Sequence, residues 1–345
     1  VVSGGEIYTA LRAKFPMADV SFNGNNKSVE ELTMAIENGL GTIIVDNFYE
    51  LQVLHELLAE RQQTQDILLR ITPGVEAHTH NYISTGQTDS KFGFDVNSGQ
   101  AEAALQQALA DPNLNVLGVH AHIGSQIFDV TGFQMAAAKL VDLVHEWDFE
   151  PQVINAGGGF GIRYTADDEP LPAATFVEAI IDTIAEKTAA YGMQMPAVWI
   201  EPGRSIVGPA GYSLYTIGSR KDVPGIRSYL AVDGGMGDNI RPALYQAKYE
   251  AVLAAQPDAP SDEVVRVAGK YCESGDVLVW EQALPKTKPG DVLAVLATGA
   301  YGYSMASNYN RNGRPAVVFV ENGQAKVVVE RETLADLVRL DRHYL

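Results

Sequence analysis

The sequence is poor in cysteine and in basic residues, and it has no long apolar run. Cys272 is the one cysteine among 345 residues, so the chain has no internal disulfide and fits a reducing compartment such as the cytoplasm. Acidic residues outnumber basic ones by 43 to 25, and the formal net charge of −18 argues against nucleic acid as the main ligand, because phosphate binding needs a basic surface. No stretch reaches the roughly 18 consecutive apolar residues of a membrane-spanning helix. We therefore expect a cytoplasmic protein that binds neither nucleic acid nor membrane.

The apolar residues, 46% of the chain, suffice for a large core. Up to about residue 208, short β-branched runs alternate with amphipathic segments, which predicts helices between parallel strands. Ser28 and Glu31 form a capping-box signature before one such segment, and Tyr49 to Ala59 and Phe176 to Ala190 are also predicted helices. The strand-like runs include residues 1–3, 20–22, 43–45, 68–71, 117–120, 153–155 and 198–200.

Unusual polar residues and glycines follow almost every one of these runs. Functional residues at the carboxyl ends of successive parallel strands are typical of a (β/α)8 barrel, an α/β fold of the TIM type. Since a closed barrel needs eight strands and seven are present, we expect residues 1–208 to form such a barrel with its first strand missing, upstream of Val1.

Residues 209–345 have a different pattern, with short strand-like runs, frequent turns and few helical segments. Asn322-Gly323 between two such runs predicts a β-hairpin. A short helix is expected from about Glu332. We expect this part to be a second, mostly antiparallel β domain.

Three consecutive glycines, Gly157, Gly158 and Gly159, follow the run at 153–155. Glycine lets a backbone approach a ligand closely, and free N–H groups in such a run bind anions such as phosphate. A plain flexible turn explains the same pattern, so the run alone assigns no function.

Glu201 and Arg204 follow the run at 198–200. One interpretation is a surface ion pair worth about 0–1 kcal/mol. The other gives them separate roles, with Glu201 facing a protonated ring nitrogen and Arg204 facing an anionic group. Pyridoxal phosphate needs such an acid, because its protonated pyridine is the electron sink.

His120 and His122 stand two residues apart at the end of a strand-like run. A catalytic zinc site needs at least a third ligand, and the other histidine pair is His78 and His80. The competing interpretation is one histidine stacked on a flat cofactor, with Ser125 supplying a hydroxyl to its phosphate. The pattern leaves both open.

The β-rich part contains further candidates. Cys272 is flanked by Glu273 and Asp276, which argues against a permanently activated thiolate, but a proton donor needs no such activation. Tyr245 and Tyr301 lie in loop-like segments, where ordinary core or rim aromatics are an equally simple explanation.

Taken in order, these motifs resemble the diaminopimelate decarboxylase family, pyridoxal-phosphate enzymes of the alanine-racemase and ornithine-decarboxylase fold group. The likeness extends over nearly the whole chain, and the order of the motifs makes it specific. Its marks are VVSGGE at residues 1–6, NGNNK at 23–27, PGVEAHTH at 73–80, SKFG at 90–93, HAHIGSQ at 120–126, GGGFG at 157–161, EPGR at 201–204, RPALY at 241–245, CES at 272–274 and residues 299–310.

The resemblance implies a role for each matching residue, and no metal. His122 would stack on the cofactor ring and take part in catalysis, Glu201 would pair with the ring nitrogen, and Cys272 would donate a proton. The remaining implied contacts are with the cofactor for Ser125, Gly157, Gly158, Gly159, Pro202, Gly203, Arg204 and Tyr301, and with the substrate for Arg204, Arg241, Tyr245, Glu273 and Tyr301.

The implied reaction is the decarboxylation of meso-2,6-diaminopimelate to L-lysine and CO2, the last step of lysine biosynthesis. The distal amino and carboxylate groups of this substrate need fixed charges, which Arg204, Arg241 and Glu273 would supply. In this family Cys272 and Glu273 reach the site from the partner subunit, which implies a homodimer with shared active sites.

The family's Schiff-base lysine ends the first barrel strand, and the resemblance places it upstream of Val1. Lys27 also follows a strand-like run but matches a different family position, so we expect residues 1–345 alone to be inactive. The alternatives are a related decarboxylase of a polyamine precursor or basic amino acid, a pseudoenzyme that lacks the lysine, and a metal-dependent barrel hydrolase, which explains none of the motifs in the β-rich part.

Overall fold

The computed structural model describes residues 1–75 and 89–343. They divide into two units, which interleave along the chain. The barrel unit comprises residues 1–161 and 170–202, and the β unit comprises residues 162–169 and 203–345.

The barrel unit is built on a parallel sheet whose strands follow chain order. Its strands are β1 (Ser21–Phe22), β2 (Thr42–Val45), β3 (Gln65–Thr72), β4 (Phe94–Asp95), β5 (Leu114–His120), β6 (Val153–Asn155) and β7 (Ala197–Trp199). The order across the sheet is β1-β2-β3-β5-β6-β7, with β4 paired to the end of β3, and every pair is parallel. This succession of parallel strands and helices confirms the barrel-type fold predicted from the sequence.

Helices separate these strands and bury their apolar faces on the sheet. They are α1 (Gly4–Arg12), α2 (Val29–Glu37), α3 (Phe48–Arg61), α4 (Gln100–Leu109), α5 (Thr131–Glu146) and α6 (Ala173–Tyr191), with a 3-10 turn at Met17–Asp19. The predicted capping box is present in α2, where Ser28 and Glu31 exchange side-chain and backbone hydrogen bonds. Leu32, Ala35 and Ile36 of the same helix are buried, as their spacing predicts.

The first predicted strand, residues 1–3, is wrong in its extent. Val1 donates its amino N–H to Ser21 O and accepts from Asn23 N, at 2.8 Å each, so it makes the two hydrogen bonds of a parallel bridge on either side of Phe22. The chain then turns into α1, whose N-cap is Ser3. Residues 1–3 therefore consist of one bridging residue, Val1, and a helix cap. Ser3 is the cap because its hydroxyl accepts a hydrogen bond from the first turn of the helix.

Three phenylalanines hold the last helices against the sheet. The rings of Phe160 and Phe176 are stacked at 4.9 Å between centroids, and Phe133 meets both edge-on at 5.3 and 5.5 Å. All three side chains are fully buried. They join α5 and α6 to the segment that follows β6, which is where the glycine run lies.

The β unit is mostly antiparallel, as predicted. The strands of its larger sheet are β8 (Ser213–Val223), β9 (Arg227–Val232), β10 (Ala251–Leu253), β11 (Glu263–Ala268), β12 (Val277–Leu284) and β13 (Val292–Val295). Their order across the sheet is β10-β13-β8-β9-β11-β12, in which only β9 and β11 pair in parallel. Ile162 and Tyr164 belong to its core, which explains why residues 162–169 join this unit.

The predicted hairpin and terminal helix are both present. β14 (Val317–Glu321) and β15 (Gln324–Val329) are joined through Asn322 and Gly323, which both have positive φ. The helices of the β unit are α7 (Arg204–Val207), α8 (Arg241–Tyr245) and α9 (Leu334–Val338), with 3-10 turns at Tyr303–Met305 and Tyr309–Arg311. In residues 1–75 and 89–343, no helix combines the length and apolar character needed to cross a bilayer.

Replacing Phe176 by alanine is expected to lower the free energy of unfolding by about 3–5 kcal/mol, because it empties a fully buried aromatic position. Urea denaturation followed by circular dichroism measures the change. Phe15, in the same unit but 53% exposed, is the matched control, and its replacement by alanine should cost no more than about 0.5 kcal/mol. Equal losses in the two variants would contradict the burial argument.

Candidate active site

The carboxylate of Glu201 is held by donors from three other strand ends. Oε1 accepts from the Asn23 amide at 3.1 Å and the Asn155 amide at 3.0 Å, and Oε2 accepts from His120 Nε2 at 3.1 Å. Asn23 follows β1, His120 ends β5 and Asn155 ends β6. The parallel register therefore brings four separate stretches of sequence to one carboxylate.

These donors keep Glu201 ionised. Burial acts to raise its pKa, but the neighbouring His120 and the hydrogen bonds from His120, Asn23 and Asn155 outweigh burial and hold the pKa well below its ordinary value. The side chain is still 29% exposed, so the anion remains accessible. An ionised, oriented carboxylate of this kind is suited to holding a protonated ring nitrogen.

His122 lies beside the glycine run as a neutral imidazole. Its Nδ1 accepts the Gly158 N–H at 3.1 Å. Burial, together with the nearby Arg70 and His120, lowers the pKa of His122 to about 4, although Glu201 acts in the opposite direction. A flat, uncharged ring at this position can stack on an aromatic cofactor.

The glycine run is required for close packing rather than for flexibility. A Cβ at Gly158 would lie 2.1 Å from Glu201 O, and a Cβ at Gly159 would lie 2.1 Å from Gly124 O and 3.4 Å from Ser125 Cα. The run therefore packs directly against the segments that carry Ser125 and Glu201.

The N–H groups of the run are not all free, in contrast to the cradle predicted from three glycines. The Gly157 N–H bonds Asn155 Oδ1 at 2.9 Å, and the Gly158 N–H bonds His122 Nδ1. The two bonds fix the positions of Asn155 and His122 relative to the run. The partly exposed Gly159 has no acceptor for its N–H in the described part of the chain.

The histidine pairs do not assemble a metal centre among residues 1–75 and 89–343, where no group of three or more His, Cys, Asp or Glu side chains is arranged to hold an ion. His120 and His122 each use a ring nitrogen on a protein partner, Glu201 and Gly158 respectively. His78 and His80 lie outside the described residues.

In the β unit, two buried arginines pack against tyrosine rings. Arg204, at the start of α7, donates to the Tyr164 hydroxyl, and its guanidinium lies 4.8 Å from the centre of the Tyr301 ring. Arg241, at the start of α8, donates to the Tyr249 hydroxyl and lies 5.0 Å from the centre of the Tyr164 ring. The structure thus brings the predicted residues Arg204, Arg241 and Tyr301 into one aromatic cluster.

Arg241 is 6% exposed, and no carboxylate of the described residues lies within ion-pair distance of it. Burying a cation without a counter-ion is costly. The site accordingly favours an anionic group from a ligand, for which a guanidinium offers paired donors. Tyr245, at the other end of α8, is partly exposed.

Cys272 is exposed, and the neighbouring Glu273 is anchored by a tyrosine. The Tyr309 hydroxyl donates to Glu273 Oε1, and the Tyr309 ring stacks on Tyr271 at 5.7 Å between centroids. Oε2 of Glu273 has no hydrogen-bond partner among the described residues. Glu273 is therefore oriented through Oε1, while Oε2 is buried and unsatisfied.

Comparison with known proteins shows the family to which the chain belongs. Residues 1–208 match the family model described as "Pyridoxal-dependent decarboxylase, pyridoxal binding domain". The chain is 60% identical over 345 residues to the diaminopimelate decarboxylase of Bacillus subtilis, covering 99% of this chain and 79% of that protein. It is 61% identical to the Bacillus methanolicus enzyme, with 96% and 78% covered. The chain belongs to the diaminopimelate decarboxylase family.

Solved structures of diaminopimelate decarboxylases have the same fold. The enzyme from M. jannaschii, also solved in complex with L-lysine, superimposes with a TM-score of 0.92 at 40% identity, covering 99% of this chain and 79% of that one. The Helicobacter pylori enzyme complexed with L-lysine gives 0.88 at 31% identity, with 98% and 82% covered. Family membership makes pyridoxal phosphate the cofactor of this chain.

The sequence pattern gives Asn23 and Asn155 no role and marks His120 only as one of two candidate histidines, although each stands at the end of a predicted strand. Their common position at one sheet edge is the signal that points to them. Tyr164 and Tyr249, which hold the two arginines, gave no such signal, because nothing in the sequence relates residue 164 to the β unit.

Lys27, the lysine that follows the first strand in this chain, has a structural role. Its Nζ donates to Gly24 O at 2.8 Å, Ile44 O at 2.7 Å and Glu50 Oε1 at 2.7 Å. Burial lowers the pKa of Lys27 and raises that of Glu50, and each is partly restored by the other's charge. All three donors are used, so this amine is not available to a cofactor.

Replacing Lys27 by methionine is expected to destabilise the fold by about 3–5 kcal/mol, because Glu50 loses its buried partner. The pKa of Glu50, already raised by burial, then rises further in the folded state. A raised folded-state pKa stabilises the fold below the unfolded pKa, and this contribution disappears as pH rises. Urea denaturation should therefore show a larger loss at about pH 8 than at about pH 5.5.

The double variant Lys27→Met, Glu50→Leu is the control for the charge effect. It should recover most of the lost stability and show little pH dependence, since no unpaired charge remains. A loss of the same size at both pH values in the single variant would show that packing, and not the ion pair, is responsible.

Proposed function

We propose that the protein catalyses the decarboxylation of meso-2,6-diaminopimelate to L-lysine and CO2, the last step of lysine biosynthesis. The observation that carries the proposal is the ionised Glu201, held by donors from three strand ends in a chain of this family. The M. jannaschii and H. pylori relatives solved with L-lysine add the product of this reaction as a ligand of the family.

The residues of the barrel unit fit pyridoxal phosphate. When bound, the cofactor supplies an electron sink for the charge left by the departing carboxylate. Glu201 holds a proton at the ring nitrogen, which maintains that sink. The neutral His122 would lie against the ring. The closely packed run at Gly157 to Gly159, in which the Gly159 N–H has no acceptor among the described residues, would receive the phosphate with Ser125 beside it.

Further cofactor contacts are assigned to residues 202–204 and to Tyr301. Pro202 and Gly203 follow Glu201 directly in the chain, so their backbone begins beside the residue that faces the ring nitrogen. Arg204 and Tyr301 pack on each other, which orients both side chains. We propose that residues 1–208 form the cofactor-binding barrel domain and that residues 209–345 form the mostly antiparallel β domain.

The substrate-binding charges are assigned to the β unit. Arg241 and Arg204 hold carboxylate groups, and Tyr245 and Tyr301 contribute contacts at the rim. Glu273, whose buried Oε2 has no hydrogen-bond partner among the described residues, accepts the distal ammonium. The tyrosine rings and hydroxyls orient the Arg241 guanidinium without neutralising it. This charge pattern distinguishes a diamino diacid from a simple diamino acid.

Cys272 is assigned as the proton donor to the carbon that loses CO2, and its exposure is consistent with delivery to a second chain. We propose a homodimer in which Cys272 and Glu273 serve the partner's active site, and a cytoplasmic location, which the single free cysteine supports.

Substrate preference tests the proposed function. The natural full-length protein, loaded with pyridoxal phosphate, should decarboxylate meso-diaminopimelate with a kcat/KM at least about 100-fold above that for ornithine, lysine or arginine, because these leave a buried arginine unpaired. Release of CO2 from each amino acid and from carboxynorspermidine measures the ratio. Faster turnover of any substrate without the distal carboxylate would contradict the proposal.

Replacing Arg241 by methionine should raise KM for meso-diaminopimelate about 10- to 100-fold, because a charged hydrogen-bond donor to the substrate is lost. The affinity for pyridoxal phosphate should not change. Arg220→Met is the matched control, since Arg220 is paired with Asp222 and Glu263 elsewhere in the β unit, and its KM should equal that of the wild type. An unchanged KM in the Arg241 variant would remove it from the substrate site.

A further inference from the structure

A row of buried polar side chains crosses the sheet of the barrel unit. Arg70 in β3 is the register partner of His120 in β5, which in turn is the partner of Asn155 in β6. Partners in a parallel ladder project to the same face of the sheet. All three are buried, and the row leads to the carboxylate of Glu201.

His120 makes one polar contact in this row. The side chain is fully buried, and its Nε2 lies 3.1 Å from Glu201 Oε2. Since a carboxylate only accepts, Nε2 carries the proton. Nδ1 is also buried and has no hydrogen-bond partner in the described part of the chain. An unsatisfied buried nitrogen is costly, so packing alone does not explain a histidine at this position.

The two oxygens of Glu201 are held unequally. Oε1 has two amide donors, from Asn23 and Asn155, and Oε2 has the imidazole of His120. If either amide is lost, Oε1 still accepts a hydrogen bond from the other. Loss of the imidazole leaves Oε2 without a donor among the described residues, so only the contacts to Oε1 then hold the carboxylate.

We infer that His120 is a positioning residue that fixes Oε2 of Glu201 for the cofactor's ring nitrogen. His120 acts through the carboxylate and not by touching the cofactor. The inference rests on the proposed function, in which Glu201 faces that nitrogen. It predicts that His120 matters for a ligand that has the nitrogen and not for one that lacks it.

The test compares two ligands, pyridoxal phosphate and its 1-deaza analogue, in which C–H replaces the ring nitrogen. Dissociation constants for the full-length protein are measured by equilibrium dialysis. His120→Phe should weaken pyridoxal phosphate binding by about 10-fold, the loss of one charged hydrogen bond, and should change analogue binding by less than about 2-fold.

Two amide variants separate geometry from polarity. Glutamine places its amide nitrogen near the position of Nε2, whereas asparagine places it near Nδ1. His120→Gln should therefore restore affinity to within about 3-fold of the wild type, and His120→Asn should behave like His120→Phe. Because both amides are polar, this pair also decides the question if the phenylalanine variant does not fold. Equal behaviour of the two amides would overturn the inference.

Coupling to Glu201 completes the test. In a Glu201→Gln background, His120→Phe should weaken binding by less than about 2-fold further, since the two residues act as one unit. Full additivity, or equal weakening of both ligands by His120→Phe, would overturn the role of His120. His145→Phe, which alters an exposed ring stacked on Tyr191 in the same unit, is the control and should change neither constant.

The proposed function fails in a different way. If Glu201→Gln binds pyridoxal phosphate and the analogue with wild-type constants, Glu201 does not hold the ring nitrogen, and the inference falls with that assignment. If Glu201→Gln weakens pyridoxal phosphate selectively while His120→Phe does not, the function stands and the inference alone is wrong.

Discussion

The arrangement of the barrel unit depends on keeping one carboxylate charged at the edge of a sheet. Burial acts to neutralise Glu201, and three hydrogen-bond donors reverse that tendency. The donors come from residues 23, 120 and 155, so they meet only when β1, β5, β6 and β7 pair in the correct register. If the register of one strand shifts by one residue, its side chains turn to the other face of the sheet, and its donor no longer reaches Glu201. The charged state of Glu201 therefore depends on the same strand register that holds the sheet together.

Close packing behind this carboxylate explains the surrounding loops. The run at Gly157 to Gly159 leaves no room for a Cβ, and its N–H groups orient Asn155 and His122. The same strand edge is stiffened by the buried pair of Lys27 and Glu50, which ties the loop after β1 to the end of β2. Polar side chains in this part of the barrel unit are hydrogen-bonded to one another, which restricts their motion.

The β unit handles charge in the opposite way. Arg241 lies against the Tyr164 ring and donates to the Tyr249 hydroxyl, which orient its guanidinium without cancelling its charge. Arg204 packs on Tyr301 and donates to Tyr164 in the same cluster. Arg241 has no carboxylate partner among the described residues. A cation held in this way binds an anionic group strongly, and leaving it unpaired is costly, which is the basis of the substrate preference proposed above.

The sequence by itself determined the fold class, the capping box at Ser28, the Asn322-Gly323 hairpin and the family, because periodicity, caps, turns and motif order are local properties of a chain. It also marked Glu201, His122 and the glycine run, since each stands directly after a strand. Only the tertiary structure decided that Val1 bridges rather than forms a strand, that residues 162–169 belong to the β unit, and that His120, Asn23 and Asn155 converge on Glu201. Those outcomes depend on contacts between residues up to 178 positions apart, which strand register and packing fix and local sequence does not.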